Sequence, residues 1–163
     1  MPAPRIVWLR RDLRLADHAA FCAAAAQGPV IPVFVLDDKR PGARRLGGAS
    51  RWWLHHSLQS LSQGLARHGA RLILRRGDAV EEIARIAGET GAAAVHAIRH
   101  HEPWWQAAES ELAEKVDFHV HHGNYLVPAG SVVTGAGGPS EIYTPFYRAL
   151  LREMELGEPL PEP

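Results

Sequence analysis

Short runs of apolar, mostly β-branched residues alternate along this chain with longer segments of helical periodicity. Five such runs occur, at residues 6–9, 30–36, 72–74, 94–98 and 118–120. The first two are almost continuously apolar, which is typical of strands covered on both faces. Helical segments between strands favour βαβ crossovers, because parallel neighbours need a long connection. The alternation therefore predicts an α/β fold, a Rossmann-like doubly wound five-stranded parallel sheet with helices on both faces.

Four helices are predicted between the strands. Asp17 and Asp78 are the predicted N-caps of the first and third helices, since aspartate accepts hydrogen bonds from the free N–H groups of a first turn. Leucines spaced four, three and four residues apart predict an amphipathic second helix over residues 50–69. Pro103, a residue favoured at the first helical position, begins the fourth helix, which is expected to run to about Lys115.

Length and charge restrict the kind of protein this can be. A chain of 163 residues, 46% of them hydrophobic, can form one globular domain with a buried core. Its 18 Lys and Arg balance 18 Asp and Glu, which argues against a free-standing nucleic-acid binder, because such proteins carry a basic excess. No apolar stretch approaches the roughly 20 residues of a bilayer span, so no membrane contact is expected. Without a signal-peptide core, and with Cys22 alone, the chain is predicted to be cytoplasmic.

The predicted sheet indicates where a ligand would bind. Open parallel sheets bind ligands beyond the carboxyl ends of their strands, where the strand order reverses. The loops at that edge are residues 10–17, 36–50, 75–78, 98–104 and 121–126. The first is crowded with arginine and aspartate, which either fix the loop or present a guanidinium to an anionic ligand. Neither a G-x-x-x-x-G-K-[ST] loop nor a glycine-rich strand–helix turn is present, so ATP or NAD binding by those devices is not expected.

The sequence contains no self-contained catalytic set. It has no G-x-S-x-G nucleophile elbow, and Cys22 lies in an alanine-rich segment as a small apolar residue. Histidines cluster near the ends of the fourth and fifth strands, but without H-E-x-x-H or C-x-x-C spacing, so no metal site is predicted. Tryptophan doublets at residues 52–53 and 104–105 begin two helices. One ring of each doublet is expected to pack inward and the other to face the cleft, for core packing or for stacking on a planar ligand.

The segment at residues 8–17, WLRRDLRLAD, resembles the opening signature of the DNA photolyase and cryptochrome family. Further matches follow in the family's order: VFVLD at 33–37, GGASRWWLHHSL at 47–58, Glu102-Pro103, and TGAGG through YTPF at 134–146. These ordered segments make the chain similar to the family's N-terminal domain over about residues 5–150. His18 stands where the family has asparagine, which is interpreted as a local capping change.

The resemblance implies a parent protein with two parts. Residues 5–122 would form the photolyase-type α/β antenna domain, and residues 123–163 an interdomain loop, a helix and a truncated linker toward an absent FAD-binding helical domain. The implied parent is a deoxyribodipyrimidine photolyase, a carbon–carbon lyase. In it an antenna pigment passes excitation energy to reduced FAD, which donates an electron to a cyclobutane pyrimidine dimer in damaged DNA. This chain would hold the pigment and dock the helical domain, with no catalytic residue of its own, and would reach damaged DNA only through the parent.

Two other functions remain open at this point. The first is the same domain of a cryptochrome-type blue-light photoreceptor, which signals and does not repair. The second is a generic nucleotide-binding α/β module unrelated to light. The N-terminal part of the family does not separate repair from signalling.

The pigment implied by the resemblance is 8-hydroxy-5-deazaflavin, FMN, methenyltetrahydrofolate or none. Glu102-Pro103 is similar to the deazaflavin type, from which His100 and Trp104-Trp105 depart, while the folate type has Asn-Glu at the tryptophan pair. Deazaflavin or FMN is therefore favoured over methenyltetrahydrofolate, and a pocket filled by the two indoles is the alternative. The predicted pigment-binding residues are Arg11, Leu36, Asp38, Arg51, His100, Glu102 and Trp105.

Overall fold

The computed structural model describes residues 2–134, 137–139, 141–154 and 157–163. In these residues strands and helices alternate from the N-terminus, as the apolar runs predict. The strands are β1 (Arg5–Leu9), β2 (Val30–Leu36), β3 (Ile73–Arg76), β4 (Ala94–Ile98) and β5 (Phe118–His121). The helices are α1 (Ala19–Ala25), α2 (Gly48–Arg67), α3 (Ala79–Thr90), α4 (Pro103–Ala113) and α5 (Tyr143–Glu153), with a 3-10 turn at Gly42–Arg44.

The strands form one sheet in the order β3-β2-β1-β4-β5. Every pairing is parallel, and β1 lies at the centre between β2 and β4. The chain winds outward from β1 to β3 and then returns to the other side of β1, so the strand order reverses between β1 and β4. This confirms the predicted doubly wound α/β fold with five parallel strands.

The hydrophobic core has two halves, one on each face of the sheet. Successive residues of β1 point to opposite faces, so Trp8 packs with residues of α3 and α4, whereas Leu9 packs with residues of α1 and α2. Both side chains are fully buried. Burial of each large apolar side chain contributes about 1.5–3 kcal/mol. The helices therefore cover both faces of the sheet. Truncating Trp8 to alanine would lower the free energy of unfolding by about 3–5 kcal/mol.

The N-terminus of α1 differs from the prediction. The N-cap is His18, whose Nδ1 accepts a hydrogen bond from the Phe21 backbone N–H at 3.2 Å, and the prediction of Asp17 as the cap is wrong. Asp17 has φ 51°, in the left-handed region, so its backbone does not lead directly into the helix. Its N–H instead donates to the Leu160 carbonyl oxygen at 2.9 Å. The interpretation of His18 as a capping residue is confirmed.

The other helix termini follow ordinary rules of capping. Asp78 caps α3 as predicted, accepting from the backbone N–H groups of Val80 at 3.0 Å and Glu81 at 3.3 Å. The helix ends at Gly91, which has φ 63°. The second helix begins two residues before the predicted start. No helix among the described residues has the length and apolarity needed to cross a membrane.

Candidate ligand-binding site at the carboxyl edge of the sheet

A cavity of about 540 Å³ opens at the carboxyl ends of β1 and β2. Its lining comes from the loop after β1, from the segment that joins β2 to α2, and from the first turn of α4. This position adjoins the reversal of strand order between β1 and β4, where open parallel sheets bind their ligands. The volume lies within the roughly 300–1,000 Å³ that small-molecule sites occupy.

Indole rings form much of the cavity wall. Trp104 and Trp105 come from α4, and Trp53 comes from α2. Trp105 is almost buried and packs edge-on against Trp8, with ring centroids 5.8 Å apart. The α4 doublet thus has an inner ring and a more exposed one, as expected. The wall offers flat apolar faces to a ligand.

The other tryptophan doublet does not behave as predicted. Both Trp52 and Trp53 are exposed, at 63% and 68% of their surface. The buried side of α2 is its leucine stripe, with Leu61 and Leu65 in the core. Successive helical residues are rotated by 100°, and both rings fall outside that stripe. Trp53 therefore borders the cavity, whereas Trp52 faces away from the core.

The ionic groups that line the cavity are mostly guanidinium groups, including those of Arg11, Arg14 and Arg44. The Arg44 guanidinium lies 5.9 Å from the ring centre of Trp104. Arg14 also donates to the Gly123 carbonyl oxygen at 2.6 Å, which ties the loop after β1 to the segment after β5. Cations beside aromatic faces are suited to a planar molecule that carries a negative charge.

Asp37 is the carboxylate that lines the cavity. Its oxygens are already engaged by hydrogen bonds from backbone N–H groups. Its oxygens accept hydrogen bonds from the N–H groups of Lys39 at 2.9 Å, Arg40 at 3.0 Å and Ala79 at 2.9 Å. Asp37 therefore joins the turn after β2 to the start of α3. This agrees with the general use of aspartate to brace turns.

Arg10 supports the cavity from beneath. Its guanidinium is buried, donates to Glu109 Oε1 at 2.8 Å and to the Ile98 carbonyl oxygen, and lies 4.5 Å from the ring centre of Trp8. Burial lowers the pKa of Arg10, while the adjacent Glu109 carboxylate opposes that shift, and the guanidinium remains charged. Arg10 thus has a structural role, joining the end of β1 to β4 and α4.

Asp12 organises the loop that follows β1. This buried carboxylate accepts hydrogen bonds from the Arg10 backbone N–H at 2.9 Å and from His18 Nε2 at 2.8 Å, and it lies 3.3 Å from His100 Nε2. Burial acts to raise the pKa of Asp12, but the hydrogen bonds with His100 and His18 outweigh it and lower that pKa far below its usual range. Because His18 Nδ1 accepts the cap hydrogen bond, its proton lies on Nε2 and points at Asp12.

The predicted pigment-binding residues fall into two groups around this edge. Arg11, Leu36 and Trp105 line the cavity. Glu102 lies beside it and holds Arg11 through a 2.5 Å ion pair. His100 is buried behind it, with Nδ1 3.6 Å from Glu102 Oε2. The structure therefore brings these five residues together, three as lining and two as their support.

Asp38 and Arg51 lie at a neighbouring groove of about 480 Å³ between α2 and β3. Arg51 lines this groove and donates to Asp38 Oδ1 at 2.5 Å and to the Leu46 carbonyl oxygen at 3.0 Å. Leu36 is common to the groove and the cavity. Arg51 and Asp38 thus fix the segment between β2 and α2, one wall of the cavity.

Several lining residues were not predicted from the sequence. Ser50, Leu54 and Ser57 all line the cavity from the first three turns of α2, beside Trp53. They are spaced three or four residues apart, so they share one side of the helix next to its leucine stripe. This helical spacing is a signal that could have found them.

Three histidines lie together on β4 and β5, away from the cavity. His96 Nδ1 is 3.0 Å from His121 Nε2, and the rings of His96 and His119 stack with centroids 5.0 Å apart. Burial, followed by the neighbouring His121 and His119, lowers the pKa of His96 to about 4. Within the described ranges, no three His, Cys, Asp or Glu side chains are arranged to hold a metal ion.

Comparison with known sequences identifies relatives of the whole chain. The family model described as DNA photolyase matches residues 5–163. A deoxyribodipyrimidine photo-lyase of Agrobacterium fabrum (strain C58) is 42% identical over 154 residues, which cover 91% of this chain and 32% of that protein. Cryptochrome-1 of Arabidopsis thaliana is 31% identical over 152 residues, covering 90% of this chain and 22% of that protein. The chain thus spans about a third or less of the length of these curated relatives.

Solved structures give the same assignment. The crystal structure of a bacterial class III photolyase from Agrobacterium tumefaciens superposes with a TM-score of 0.90 at 40% identity, covering all of this chain and 34% of that chain. A Synechocystis cryptochrome superposes with a TM-score of 0.87 at 20% identity, covering 36% of its chain, which shows a common fold. With a family model matched over residues 5–163 and a photolyase at 42% identity, the chain belongs to the DNA photolyase family.

Proposed function

We propose that this chain is the N-terminal antenna-chromophore domain of a deoxyribodipyrimidine photolyase, the light-driven flavoenzyme that repairs cyclobutane pyrimidine dimers. The observation that carries the proposal is the cavity of about 540 Å³ at the carboxyl edge of the sheet. Its indole walls and its guanidinium groups suit a planar, negatively charged pigment. The photolyase relatives support the repair function of the parent.

In this proposal residues 5–122 are the antenna domain, and residues 123–163 lead toward an FAD-binding helical domain. Both core clusters are built from residues of the first part, which supports its independence. In the second part, α5 exposes Tyr143 and Leu151. Damaged DNA and the helical domain are the partners of the parent protein.

The pigment that we propose is 8-hydroxy-5-deazaflavin or FMN, in preference to methenyltetrahydrofolate, and an empty cavity is the alternative. Trp53 and Trp104 would contact its ring system, and Arg11, Arg14 and Arg44 would hold its acidic groups. The bound pigment supplies light absorption and the transfer of excitation energy. The protein's own contribution is to fix the position of the pigment, because energy transfer depends on distance and orientation.

The proposal is tested by titrating the chain with each pigment and following the quenching of tryptophan fluorescence. We expect saturable binding of deazaflavin or FMN and weaker binding of methenyltetrahydrofolate. Ser57→Phe places a ring in the cavity and should reduce the affinity at least tenfold. Ser110→Phe, on the exposed side of α4, is the matched control and should bind like the unmodified chain. Stabilisation by ATP, AMP or NAD alone would instead favour the nucleotide-binding module.

Arg51→Ala tests whether Arg51 supports the cavity wall or is needed for the fold itself. Arg51 holds Asp38 and the Leu46 carbonyl group, so its loss should loosen the wall and reduce pigment affinity several-fold. The side chain is only partly buried, and circular dichroism should show an intact fold. A collapse of the fold would assign Arg51 a structural role.

A cryptochrome-type photoreceptor is the second candidate, because cryptochrome-1 of Arabidopsis thaliana matches nearly the same span of the chain. The higher identity of the photolyase relative favours repair. Blue-light illumination of the full-length protein with dimer-containing DNA decides between them. Loss of dimers supports the photolyase, and light absorption without repair supports the photoreceptor.

A further inference from the structure

The zero net charge of the chain conceals a strong separation of charge. Residues 39–77 contain nine of the 18 lysines and arginines and no aspartate or glutamate. Residues 78–117 contain nine of the 18 acidic residues and three basic ones. The first segment forms α2 and β3, and the second forms α3 and α4. Helices α3 and α4 make one face of the sheet predominantly acidic, whereas α2 and the β3 edge form a basic side. Two arginines of the basic segment, Arg40 and Arg75, reach the acidic helices and pair with carboxylates there.

The basic side carries arginines that are weakly engaged by the protein itself. Arg71, Arg75 and Arg76 are exposed on β3 and just before it, at the edge of the sheet. The side chain of Arg76 is 76% exposed and its contact with Asp38 is 3.4 Å, while Arg75 lies 3.9 Å from Glu82. Exposed pairs of this length contribute about 1 kcal/mol or less. These guanidinium groups are therefore accessible to an external anion.

The same edge contains an apolar groove rimmed by cations. The groove of about 480 Å³ lies between α2 and β3, and Leu54, Leu58 and Leu74 form its apolar surface. Leu74 is 52% exposed although it belongs to a strand. Arg51, His55, Arg75 and Arg76 border the groove. A ligand with both apolar faces and repeated negative charges complements this surface.

An exposed indole, that of Trp52, lies on α2 outside the residues that line the groove. Trp52 follows Arg51 on α2, and its ring contacts that of His56 with centroids 4.5 Å apart. Exposed aromatic rings beside a cationic groove are the combination that binds single-stranded nucleic acids, in which bases stack on the rings and arginines neutralise phosphates. The repeated phosphates and flat bases of a single strand complement the guanidinium groups, the exposed indole and the apolar groove together.

We propose that the α2–β3 face, defined by Arg51, Trp52, Arg71, Leu74, Arg75 and Arg76, is a binding surface for single-stranded nucleic acid. Phosphates lie along the arginines of β3, and bases contact Trp52 and Leu74. The surface lies beside the cavity at the carboxyl edge, and the groove shares Leu36 and Leu54 with that cavity. It places an unpaired stretch of nucleic acid against the antenna domain itself. The acidic side of the same domain repels the polymer, so binding is confined to this face.

The test is fluorescence anisotropy of a labelled 16-nucleotide oligothymidine titrated with the chain. We expect micromolar affinity at 50 mM NaCl that falls by about twentyfold by 200 mM, as release of counterions from about three phosphates requires. The double variant Arg71→Gln/Arg76→Gln should weaken binding by about tenfold, since each lost arginine removes one phosphate contact. Trp52→Ala should weaken binding several-fold with an unchanged salt dependence, because it removes stacking and no charge.

The control is Arg85→Gln/Lys115→Gln, which removes two positive charges from the acidic side. The side chains of Arg85 and Lys115 are 46% and 40% exposed and pair with glutamates on the surface. This control should change the affinity less than twofold. Equal weakening by the two double variants would overturn the proposal, as would an absence of binding at 50 mM NaCl. Tighter binding of a 16-base-pair duplex or of polyglutamate would also overturn it. Pigment titration of Trp52→Ala should be unchanged, which separates failure here from failure of the antenna proposal.

Discussion

Asp12 connects three parts of the chain through a single carboxylate. Its partners are the end of β1 at Arg10, the cap of α1 at His18, and the segment after β4 at His100. The loop that contains Asp12 also lines the cavity at the carboxyl edge through Arg11 and Arg14. The density of charged residues in the sequence indicates that this loop is important. It does not show which of these residues are buried and which face the cavity. Arg10 and Asp12 turn out to be internal braces, and Arg11 and Arg14 face the cavity, because only packing decides which side chains are buried.

Asp12→Asn should destabilise the folded chain. The amide N–H₂ would oppose the Nε2–H of His18 or the Arg10 N–H, which leaves a buried donor unpaired at a cost of about 2 kcal/mol. For a chain of this length that corresponds to a decrease in Tm of roughly 4–8 °C, measurable by circular dichroism. Asp117→Asn is the control, because Asp117 is exposed and its carboxylate bonds only to His119, at 3.1 Å, among the described residues. An unchanged Tm for Asp12→Asn would mean that the network does not stabilise the fold.

The elements themselves were largely predictable from the sequence. β1 and β2 are continuous apolar runs because both faces of the sheet are covered. Pro32 does not interrupt β2, since it precedes Val33, where pairing with β3 starts. The order of the strands was not predictable, because periodicity does not say on which side of β1 the fourth strand is inserted. The cavity follows from that order and from the pitch of α2, so its lining could be only partly named.

The pairing of β4 with β5 should weaken in acid. His96 lies opposite His119 in the parallel register, and its pKa is lowered to about 4 from 6.5. Between these two values the unfolded chain binds a proton that the folded chain does not, so stability is complete above pH 6.5 and is lost as the pH falls toward 4. His119 and His121 lie on the partly exposed edge strand β5, where water screens their charges, so we expect a loss of about 1 kcal/mol at pH 5.

Urea unfolding at pH 7.5 and pH 5.0 measures this loss as a decrease in the free energy of unfolding. His96→Leu replaces the titrating imidazole with an apolar side chain. The difference in the free energy of unfolding between pH 7.5 and pH 5.0 should therefore be smaller in this variant. His55→Gln, on the exposed side of α2, should leave it unchanged. An equal pH dependence in His96→Leu and the unmodified chain would show that other groups cause the acid sensitivity.

For the whole chain, the net charge is a poor guide to nucleic-acid binding, whereas the distribution of the charges is informative. The balance of 18 and 18 argues against nucleic-acid binding only if the charges are mixed over the surface. The fold instead carries the basic segment and the acidic segment to opposite sides of one sheet, and a linear count over residues 39–77 already contains that information. The sheet thus gives the molecule three surfaces, which are a basic side, an acidic side and a carboxyl edge that contains the cavity of about 540 Å³.

The chain alone should not repair cyclobutane dimers under blue light, even with pigment bound. An antenna pigment transfers excitation energy, whereas splitting a dimer needs an electron, which the proposed helical domain supplies from its flavin. Liquid chromatography of an illuminated dimer-containing oligothymidine measures the outcome, with a full-length deoxyribodipyrimidine photo-lyase as the positive control. Because both core clusters are internal to residues 6–112, the chain should remain folded in this assay, and circular dichroism of the same sample checks it. Dimer loss with the folded chain alone would place the electron donor within these 163 residues and contradict the division of labour proposed here.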